Sequence, residues 1–525
     1  MSSARSHLPP GRKPRGLDGA SRAEQLSLFA GIDGKETKPS PQAVEESDAV
    51  VVPRKSSNLR VTPREKMEGR TAAKGNAAAI RERRTQRRSN ALVVVERIGQ
   101  PAERKDGERF NNLLSHLTVP LLREAYTSLN KRAATGVDRV TWHAYGEGLE
   151  KRLVDLENRI QRGSYRPQPV LRVLIPKGDG RMRPLGLPSL EDKIVQQAVR
   201  WLMEAIYEQE FVGFSYGFRP RRSAHKALDA LLLGLTSKSI GHVLDADIQA
   251  FFDNVDHAKL LAFLELKIAD RRLLRLVEQW LKAGVMTSTK QFEDSERGTP
   301  QGGLISPLLA NIYLHYVLDR FVQQWRHRQA HGEVIIVRYA DDFVIGCSEE
   351  HDVNALHAAL QERLREHGLT LHPEKTRVIE FGLVAARRRQ WKKDPAHLPT
   401  FDFLGFTHVT IQRSRGQFAP HIVRLTSRKK RTAKLKALRQ ELRRRRHDPM
   451  REQHAWIASV VRGHEKYYAV VGNRHFGIFR HELRQAWINS LQRRSQRSRW
   501  TATDYARFER QWALPKRPPR RRPQT

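Results

Sequence analysis

The chain has a single cysteine, Cys347, among its 525 residues. One cysteine excludes intramolecular disulfides and argues against a Cys-ligated zinc site, and it is typical of the reducing cytosol. No apolar run approaches the roughly 20 residues that a membrane-spanning helix needs. The N-terminal MSSARSHLPPGRKPRG also lacks the apolar segment of a secretory signal. We therefore expect a cytoplasmic protein without a membrane partner.

Acidic residues are scarce relative to basic ones. The chain has 95 Lys and Arg against 57 Asp and Glu, which gives a formal net charge of +38. Such an excess would cause strong self-repulsion in isolation, so it indicates a polyanionic partner such as nucleic acid. A chain of 525 residues is also too long for one compact core, and two or three domains are expected.

Two adjacent acids, Asp341 and Asp342, interrupt the apolar and β-branched segment VIIVRYADDFVIG. The pattern predicts a strand, a tight turn and a second strand, with both acids at the tip. Carboxylates among apolar strands are costly to bury, and a divalent metal is an obvious counter-charge. A solvated hairpin turn is the alternative, because Asp is common in turns.

A further set of acids lies upstream in HVLDADIQAFFDNVDH, residues 242–257. Its apolar alternation predicts a strand with Asp245 and Asp247 on one face. If folding brings these acids to the hairpin pair, the convergent carboxylates suit two Mg²⁺ ions roughly 3.5–4 Å apart. One ion would activate a 3′-hydroxyl, and the other would hold a triphosphate and stabilise the leaving pyrophosphate. That chemistry is nucleotidyl transfer.

The segment DADIQAFFDNVDH followed by YADD resembles the polymerase palm of reverse transcriptases. The resemblance is to the reverse transcriptase/maturase proteins that bacterial group II introns encode. It implies that Asp247, Asp341 and Asp342 are the catalytic carboxylates. It also implies that Phe252 is a steric gate, an aromatic ring that rejects a ribose 2′-hydroxyl, whereas we expect Phe251 to be a core residue. The metal ligands that it implies, for two Mg²⁺ ions, are Asp247, Ile248, Asp341 and Asp342.

Two further segments resemble the nucleotide-binding motifs of this family. Residues 164–187, SYRPQPVLRVLIPKGDGRMRPLGL, predict a hairpin around Gly178–Gly180 that could aim Lys177 and Arg183 at one anion. A solvated basic hairpin is the alternative, but the resemblance implies that both cations contact the incoming triphosphate. The segment GTPQGGLISPLLANIYL predicts a loop followed by a helix. There the resemblance implies that Gln301 and Gly302 pack against the template–nucleotide pair.

Other motifs extend the resemblance along the chain. Lys375, in LTLHPEKTRV, matches a family lysine proposed to protonate the leaving pyrophosphate, and a solvated cation is the alternative. FDFLGF, residues 401–406, resembles the primer-grip hairpin. KRAATGVDRVTW and SYGFRPRRSAHKAL resemble two further family blocks, in which Arg139 and Arg221 stand where the family usually has glycine.

The segment SRKKRTAKLKALRQELRRRRH, residues 427–447, predicts a helix with one apolar stripe and otherwise basic faces. A solvated basic helix is the alternative to a helix that lies against a phosphate backbone. The region around Tyr467 and Tyr468, which we expect to be helix-packing residues, resembles the thumb or maturase X domain of the family. The RNA-binding candidates are Arg428, Lys429, Lys430, Arg431, Arg493 and Arg494.

The resemblance covers about residues 92–515 and implies an α+β right-hand polymerase. We expect a disordered basic arm (1–91), fingers (92–236), a palm with an antiparallel sheet (237–420), a helical thumb or X domain (421–515) and a basic tail (516–525). The implied function is an RNA-directed DNA polymerase that also acts as a maturase for its intron RNA and supports intron mobility by target-primed reverse transcription. The alternatives are a splicing maturase with incidental polymerase activity and a domesticated reverse transcriptase in phage defence or DNA repair.

The implied partners are group II intron RNA, a DNA target and primer, and deoxynucleoside triphosphates. The chain stops at RRRPQT without the Cys-containing HNH endonuclease of many relatives, so we expect another source of primer. The arm contains QLSLF, which resembles the peptide that docks on the bacterial DNA sliding clamp; the contact residues would be Gln25, Leu26, Leu28 and Phe29. Nascent 3′ ends at a replication fork would then serve as primers.

Overall fold

The computed structural model describes residues 95, 109–176, 182–287, 289, 291–294, 297–299, 302–391, 398–411, 420–495, 500–516 and 518–522. Several predictions concern residues outside this described part: the basic arm, the clamp-motif residues Gln25, Leu26, Leu28 and Phe29, the turn 178–180, and the nucleotide-binding candidates Lys177 and Gln301.

The described chain alternates helices with short strands, as expected for an α+β protein. Up to residue 237 the elements are a 3₁₀ turn (Leu113–His116), α1 (Val119–Ser128), α2 (Trp142–Gly146), α3 (Leu149–Gln161), β1 (Val170–Pro176), β2 (Met182–Leu187), α4 (Leu190–Tyr207) and α5 (Ala224–Ser237). From there to residue 328 they are β3 (His242–Asp247), α6 (Phe251–Asn254), α7 (His257–Glu265), α8 (Arg271–Leu281), β4 (Val285–Met286), β5 (Phe292–Glu293), α9 (Ser306–Leu314), a π-helical turn (His315–Asp319) and α10 (Arg320–Arg328).

The C-terminal half continues in the same way. Its elements are β6 (Val334–Tyr339), β7 (Asp342–Cys347), α11 (Glu350–Glu366), β8 (Arg377–Glu380), α12 (Leu383–Trp391), β9 (Phe401–Phe403), β10 (Phe406–Ile411), β11 (His421–Thr426), α13 (Arg428–Arg444), α14 (Met450–Tyr468), α15 (His475–Gln492) and α16 (Ala502–Gln511).

The central sheet has the strand order β6-β7-β3-β8, and every neighbouring pair is antiparallel. Its strands are apolar on both faces, because helices such as α5 and α11 cover them. The predicted strands on either side of the acid pair and the predicted strand through Asp247 are all present. Cys347 is the buried last residue of β7, as expected. The antiparallel sheet predicted for this region is therefore confirmed.

Two smaller sheets flank this one in the sequence. β1 and β2 pair as an antiparallel hairpin from Leu171↔Leu187 to Pro176↔Met182, and β1 continues in parallel to β4, which pairs with β5. β9, β10 and β11 form an antiparallel sheet of three strands. The hairpin predicted within residues 164–187 and the hairpin predicted at FDFLGF, residues 401–406, are thereby confirmed.

Helices α13–α16 surround a separate apolar core, which begins with the predicted stripe Leu435, Leu438 and Leu442. The indole of Trp487 lies fully buried there, and its Nε1 donates to Gln453 Oε1 at 2.9 Å. In the part of the chain that the structure describes, no helix has the length and apolar character required to cross a membrane. The basic helix predicted at residues 427–447 is α13.

His408 on β10 makes the stability of this fold depend on pH. Its ring is fully buried and stacks on Phe401, with 4.7 Å between ring centroids. Burial, reinforced by the charge of Arg424, lowers the pKa of His408 to about 3. The unfolded chain instead binds this proton near pH 6.5. The stability that the folded chain gains from a neutral His408 is therefore complete above pH 6.5 and is lost as the pH falls toward 3.

We therefore expect His408→Phe, which keeps an aromatic ring against Phe401, to reduce the pH dependence of stability. Between pH 7.5 and 5 the wild-type free energy of unfolding should fall by about 2 kcal/mol more than that of the variant, at about 1.4 kcal/mol per pH unit below 6.5. Denaturant unfolding at both pH values measures this difference. Equal losses in the two proteins would show that His408 is not the proton-binding group.

Candidate active site

The central sheet brings together the three acids that the sequence analysis selected. Asp247 is the last residue of β3 and pairs directly with Asp342, the first residue of β7. Asp341 lies in the two-residue turn between β6 and β7, after Ala340, whose φ of +60° is left-handed. A tight hairpin needs such a residue, because left-handed turns match the twist of the paired strands. Asp247 and Asp341, which are 94 positions apart in sequence, thus lie at the same end of the paired strands.

The site carries more negative charge than its surroundings neutralise. Burial, together with the charges of the Asp341, Asp245 and Asp247 carboxylates, raises the pKa of Asp342 to about 7. Burial also raises the pKa of Asp341, with Asp247 adding to the effect and Arg183 opposing it. A site that disfavours its own ionised acids in this way is suited to a cation.

These oxygen donors fit Mg²⁺, which prefers carboxylates and phosphate oxygens. Among the described residues, no group of three or more His, Cys, Asp or Glu side chains is arranged as a complete metal site. Mg²⁺ usually binds one or two protein carboxylates and takes further oxygens from substrate phosphates and water. Ile248 follows Asp247 with its side chain buried, so only its main-chain carbonyl could be a ligand.

Lys375 lies at the site rather than on a remote surface. Its Nζ is 2.5 Å from Asp247 Oδ2, and both side chains remain partly exposed. The main chain of the same segment is fixed to the end of β3, since His372 N donates to Asp247 O at 2.7 Å. Lys375 therefore neutralises Asp247 and stands within reach of any group that Asp247 binds.

Phe251 and Phe252 have different environments. Phe251 is 2% exposed and packs in the core, which confirms its expected role. Phe252 is half-buried and lines a cavity of about 140 Å³ together with Gly298 and Thr299 from the glycine-containing loop and Gly186 from β2. Phe252 is thus the one of the two rings that a ligand in this cavity could contact.

Arg183 and Gly302 are both connected to strand β2, part of which lines this cavity. Arg183 is exposed on β2, close enough to lower the pKa of Asp341 by its charge. Gly302 has φ +121°, and a Cβ there would lie 2.3 Å from Gly186 O on β2. Only glycine allows this approach of the loop to the strand. The structure therefore places Arg183 near the acids and Gly302 near the cavity that Phe252 lines.

The sequence analysis missed a connection between the acids and the loop at Leu404. The backbone N–H of Leu404 donates to the Asp342 carboxyl group and lowers its pKa against the effect of burial. Tyr467 Oη on α14 donates to Leu404 O at 2.8 Å, and the Tyr468 ring packs against Phe406. Both tyrosines are helix-packing residues, as expected, and their contacts join α14 to the loop beside Asp342.

The six RNA-binding candidates divide into two groups. Arg428, Lys429 and Lys430 are exposed in the first turn of α13, and Arg493 is exposed at the end of α15. By contrast, Arg431 Nε lies 3.4 Å from Glu482 Oε2. Arg494 donates to the carbonyls of Arg446 and Asp448 at 2.6 and 2.8 Å. The last two side chains thus contact the helical region itself, with Arg494 still exposed, and the first four face solvent.

Comparison with known proteins gives a consistent result. The family described as "Reverse transcriptase (RNA-dependent DNA polymerase)" matches residues 175–408. The group II intron-encoded protein LtrA of Lactococcus lactis subsp. cremoris is 39% identical over 241 residues, which are 44% of this chain and 39% of LtrA. Protein YkfC of Escherichia coli (strain K12) is 36% identical over 269 residues, which are 45% of this chain and 70% of YkfC.

Among solved structures, apo telomerase from Candida tropicalis, truncated from its C-terminal domain, aligns with 50% of this chain and 59% of its own. The identity is 14% and the TM-score is 0.35, which is too low to support an inference. The matched region of LtrA and YkfC spans less than half of this chain. The family match, residues 175–408, covers the three acids, strand β2 and the glycine-containing loop.

Proposed function

Because this chain belongs to the reverse transcriptase family, we propose that it is an RNA-directed DNA polymerase whose active site is the acid cluster of β3 and the β6–β7 hairpin. The observation that carries this proposal is the pairing of Asp247 with Asp342 beside Asp341. Fingers, palm and thumb are the proposed roles of residues 92–236, 237–420 and 421–515.

In the proposed reaction the 3′-hydroxyl of a primer attacks the α-phosphorus of a deoxynucleoside triphosphate. A phosphodiester bond forms, the bond to the β-phosphate breaks, and pyrophosphate leaves. Two Mg²⁺ ions held by Asp247, Asp341 and Asp342 would supply charge neutralisation and activation of the hydroxyl. Arg183 would bind the triphosphate, and Phe252 would contact its sugar. Lys375 would donate a proton to the leaving pyrophosphate.

Primer extension tests the proposal. The full chain should extend a DNA primer on an RNA template when Mg²⁺ and the four deoxynucleoside triphosphates are present. Chelation of Mg²⁺ with EDTA should abolish extension, and added Mg²⁺ should restore it. A purified, folded chain that extends no primer under these conditions would contradict the proposed activity.

The role of Lys375 can be separated from that of a simple counter-charge to Asp247. Lys375→Arg keeps the positive charge, but a guanidinium does not release its proton. We expect Lys375→Arg and Lys375→Gln each to lower kcat by about 100-fold, the lower end of the usual contribution of a general acid. Single-nucleotide incorporation measures kcat. A near-wild-type Lys375→Arg variant would instead assign Lys375 a purely electrostatic role.

The finer proposal is that the enzyme is encoded by a group II intron, binds its intron RNA as a maturase and supports intron mobility by target-primed reverse transcription. Two observations support it: LtrA is described as a group II intron-encoded protein, and four cations on α13 and α15 face solvent. The DNA target and primer are the further partners it requires.

Sequencing of RNA that co-purifies with the protein tests this finer proposal. The RNA should be enriched in one structured transcript, and replacement of Arg428, Lys429 and Lys430 by Gln should reduce that enrichment, since each phosphate contact contributes to affinity. The same substitution should leave Asp247 and its neighbours unaffected, so extension of a short primer–template provides the control. Random cellular RNA in both samples would argue for a polymerase with another biological role.

The segment QLSLF supports one additional partner, the bacterial DNA sliding clamp. Clamp binding would deliver the enzyme to replication forks, where nascent 3′ ends can prime synthesis. A labelled peptide of residues 20–34 should bind purified clamp, and a peptide in which Leu28 and Phe29 are alanine should not. Equal binding of the two peptides would contradict the assignment of the motif.

A further inference from the structure

The turn that carries the two acids contacts a buried hydrogen-bond network outside the predicted site. Arg338 on β6 has no exposed side-chain surface, and neither has Asp319. The guanidinium of Arg338 donates to both carboxylate oxygens of Asp319 at 2.6 and 2.5 Å. It also donates through Nη1 to Asn311 Oδ1 and to the main-chain carbonyl of Ala340, at 2.9 Å each. The network thus reaches the residue that directly precedes Asp341.

Asn311 connects the same turn to a second stretch of backbone. Its Nδ2 donates to Gly217 O at 2.7 Å. A Cβ at Gly217 would lie 2.2 Å from Ala340 N, so this backbone presses directly against the turn. The neighbouring Tyr216 N donates to Arg338 O at 2.8 Å, which fixes the segment along β6. Ala340 is therefore held between the Gly217 backbone and the Arg338 guanidinium.

Ala340 needs this constraint because its conformation is unfavourable. Its φ of +60° lies in the left-handed region, where a Cβ crowds the backbone. Non-glycine residues remain in such a conformation only where the surrounding structure enforces it. The directions of Asp341 and Asp342 depend on this turn, so relaxation at Ala340 would move both carboxylates.

A π-helical turn explains how two side chains of one helical segment reach a single guanidinium. In a regular α-helix, residues eight apart such as Asn311 and Asp319 differ by roughly 80° around the axis. A π-helical turn accommodates one additional residue, which reduces the offset to roughly 20°. The turn at His315–Asp319 begins after Asn311 and ends at Asp319. Both polar side chains therefore reach Arg338 from a single buried helical segment.

We infer that Asn311, Asp319 and Arg338 are positioning residues, which hold the left-handed turn at Ala340 and thereby the geometry of the catalytic carboxylates. The inference rests on the proposed polymerase function and names residues that this function requires behind the site. All three side chains are almost completely buried. Their loss should slow the chemical step and leave nucleotide binding to Arg183 and the cavity beside Phe252 largely intact.

The test combines Asn311→Ala with a compensating change in the turn. Asn311→Ala keeps the Arg338–Asp319 ion pair but removes the bond to Gly217. We expect kcat for single-nucleotide addition to fall by about 10- to 100-fold, as for residues that orient metal ligands. KM for the nucleotide should change by less than about 3-fold. The double variant with Ala340→Gly should have a kcat at least about 5-fold higher than that of Asn311→Ala alone, because glycine adopts a positive φ without the Cβ penalty.

Asp229→Asn is the matched control. Asp229 on α5 forms a comparably buried pair with Arg424 on β11, at 2.8 Å, and neither element carries the turn. The Asp229→Asn variant should lower the melting temperature at least as much as Asn311→Ala does, with little change in kcat. If Asn311→Ala does not fold, the isosteric Asn311→Asp replaces it.

An unchanged kcat in the Asn311 variant, or no recovery with Ala340→Gly, would overturn the inference about the positioning residues. Primer extension by the wild-type chain would still support the proposed polymerase activity. An inactive wild-type chain would instead contradict the proposed function.

Discussion

Replacing Asp341 or Asp342 with asparagine should lower primer extension on an RNA template by about 1,000-fold or more. The substitution preserves the size of the side chain but removes a charge that would bind metal at the reacting phosphate, where electrostatic stabilisation contributes most. Single-turnover incorporation at saturating Mg²⁺ measures the loss. Residual activity within about 10-fold of wild type would exclude that acid from the metal site.

The Asp342 variant should lose activity without losing stability. Burial and three neighbouring carboxylates disfavour the ionised form, since they raise the pKa of Asp342 to about 7. At pH 8 and without metal the wild-type chain must hold that unfavourable charge, whereas asparagine is neutral. We therefore expect an equal or higher melting temperature for Asp342→Asn. Asp155→Asn, an exposed change on α3, is the control that should alter neither activity nor stability substantially.

The second large effect is expected at Phe252. Replacement by valine opens the cavity beside β2 and the glycine-containing loop, where the ring would otherwise meet a ribose 2′-hydroxyl. We expect the ratio of ribonucleotide to deoxynucleotide incorporation, compared as kcat/KM, to rise by about 100-fold, the scale on which a pocket distinguishes closely related substrates. Deoxynucleotide incorporation should change much less.

Phe251 provides the matched control, because it is the neighbouring ring with a different environment. At 2% exposure it belongs to the core, so Phe251→Val leaves a cavity and should destabilise the chain by about 2–4 kcal/mol. Its discrimination between ribose and deoxyribose should remain that of the wild type. A selectivity change in Phe251→Val, or none in Phe252→Val, would contradict the assignment of the gate.

The local pattern of the sequence predicts the acid hairpin well. The β-branched runs on either side of Asp341 and Asp342 form β6 and β7, and the alternating segment through Asp247 forms β3. The apolar stripe of α13 also lies in a core, as its helical spacing predicts. These elements were predictable because their periodicity and their burial have the same cause.

Contacts between distant segments were not predictable in this way. The ion pair of Lys375 with Asp247 joins residues 128 positions apart, and no local pattern indicates which acid a lysine meets. The Arg338 network was also hidden, because Asn311 and Asp319 have helical neighbours that look like ordinary core and the π-helical turn has no sequence signature that we used.

Two substitutions in the family motifs acquire a physical meaning only from the structure. Arg139 and Arg221, which the resemblance places at positions where glycine is expected, both have left-handed backbones, with φ of 56° and 59°. Glycine is favoured there because it has no Cβ to clash in this region. The added charge at these positions is therefore accompanied by backbone strain, which the sequence alone did not indicate.

The most direct test of the account is addition of one nucleotide to a DNA primer on an RNA template whose next base is varied. In Mg²⁺ the wild-type chain should add only the deoxynucleotide complementary to each template base, and Asp342→Asn should add none on the same time scale. Addition that ignores the template base, or equal addition by the two proteins, would contradict a template-directed polymerase site at Asp247, Asp341 and Asp342.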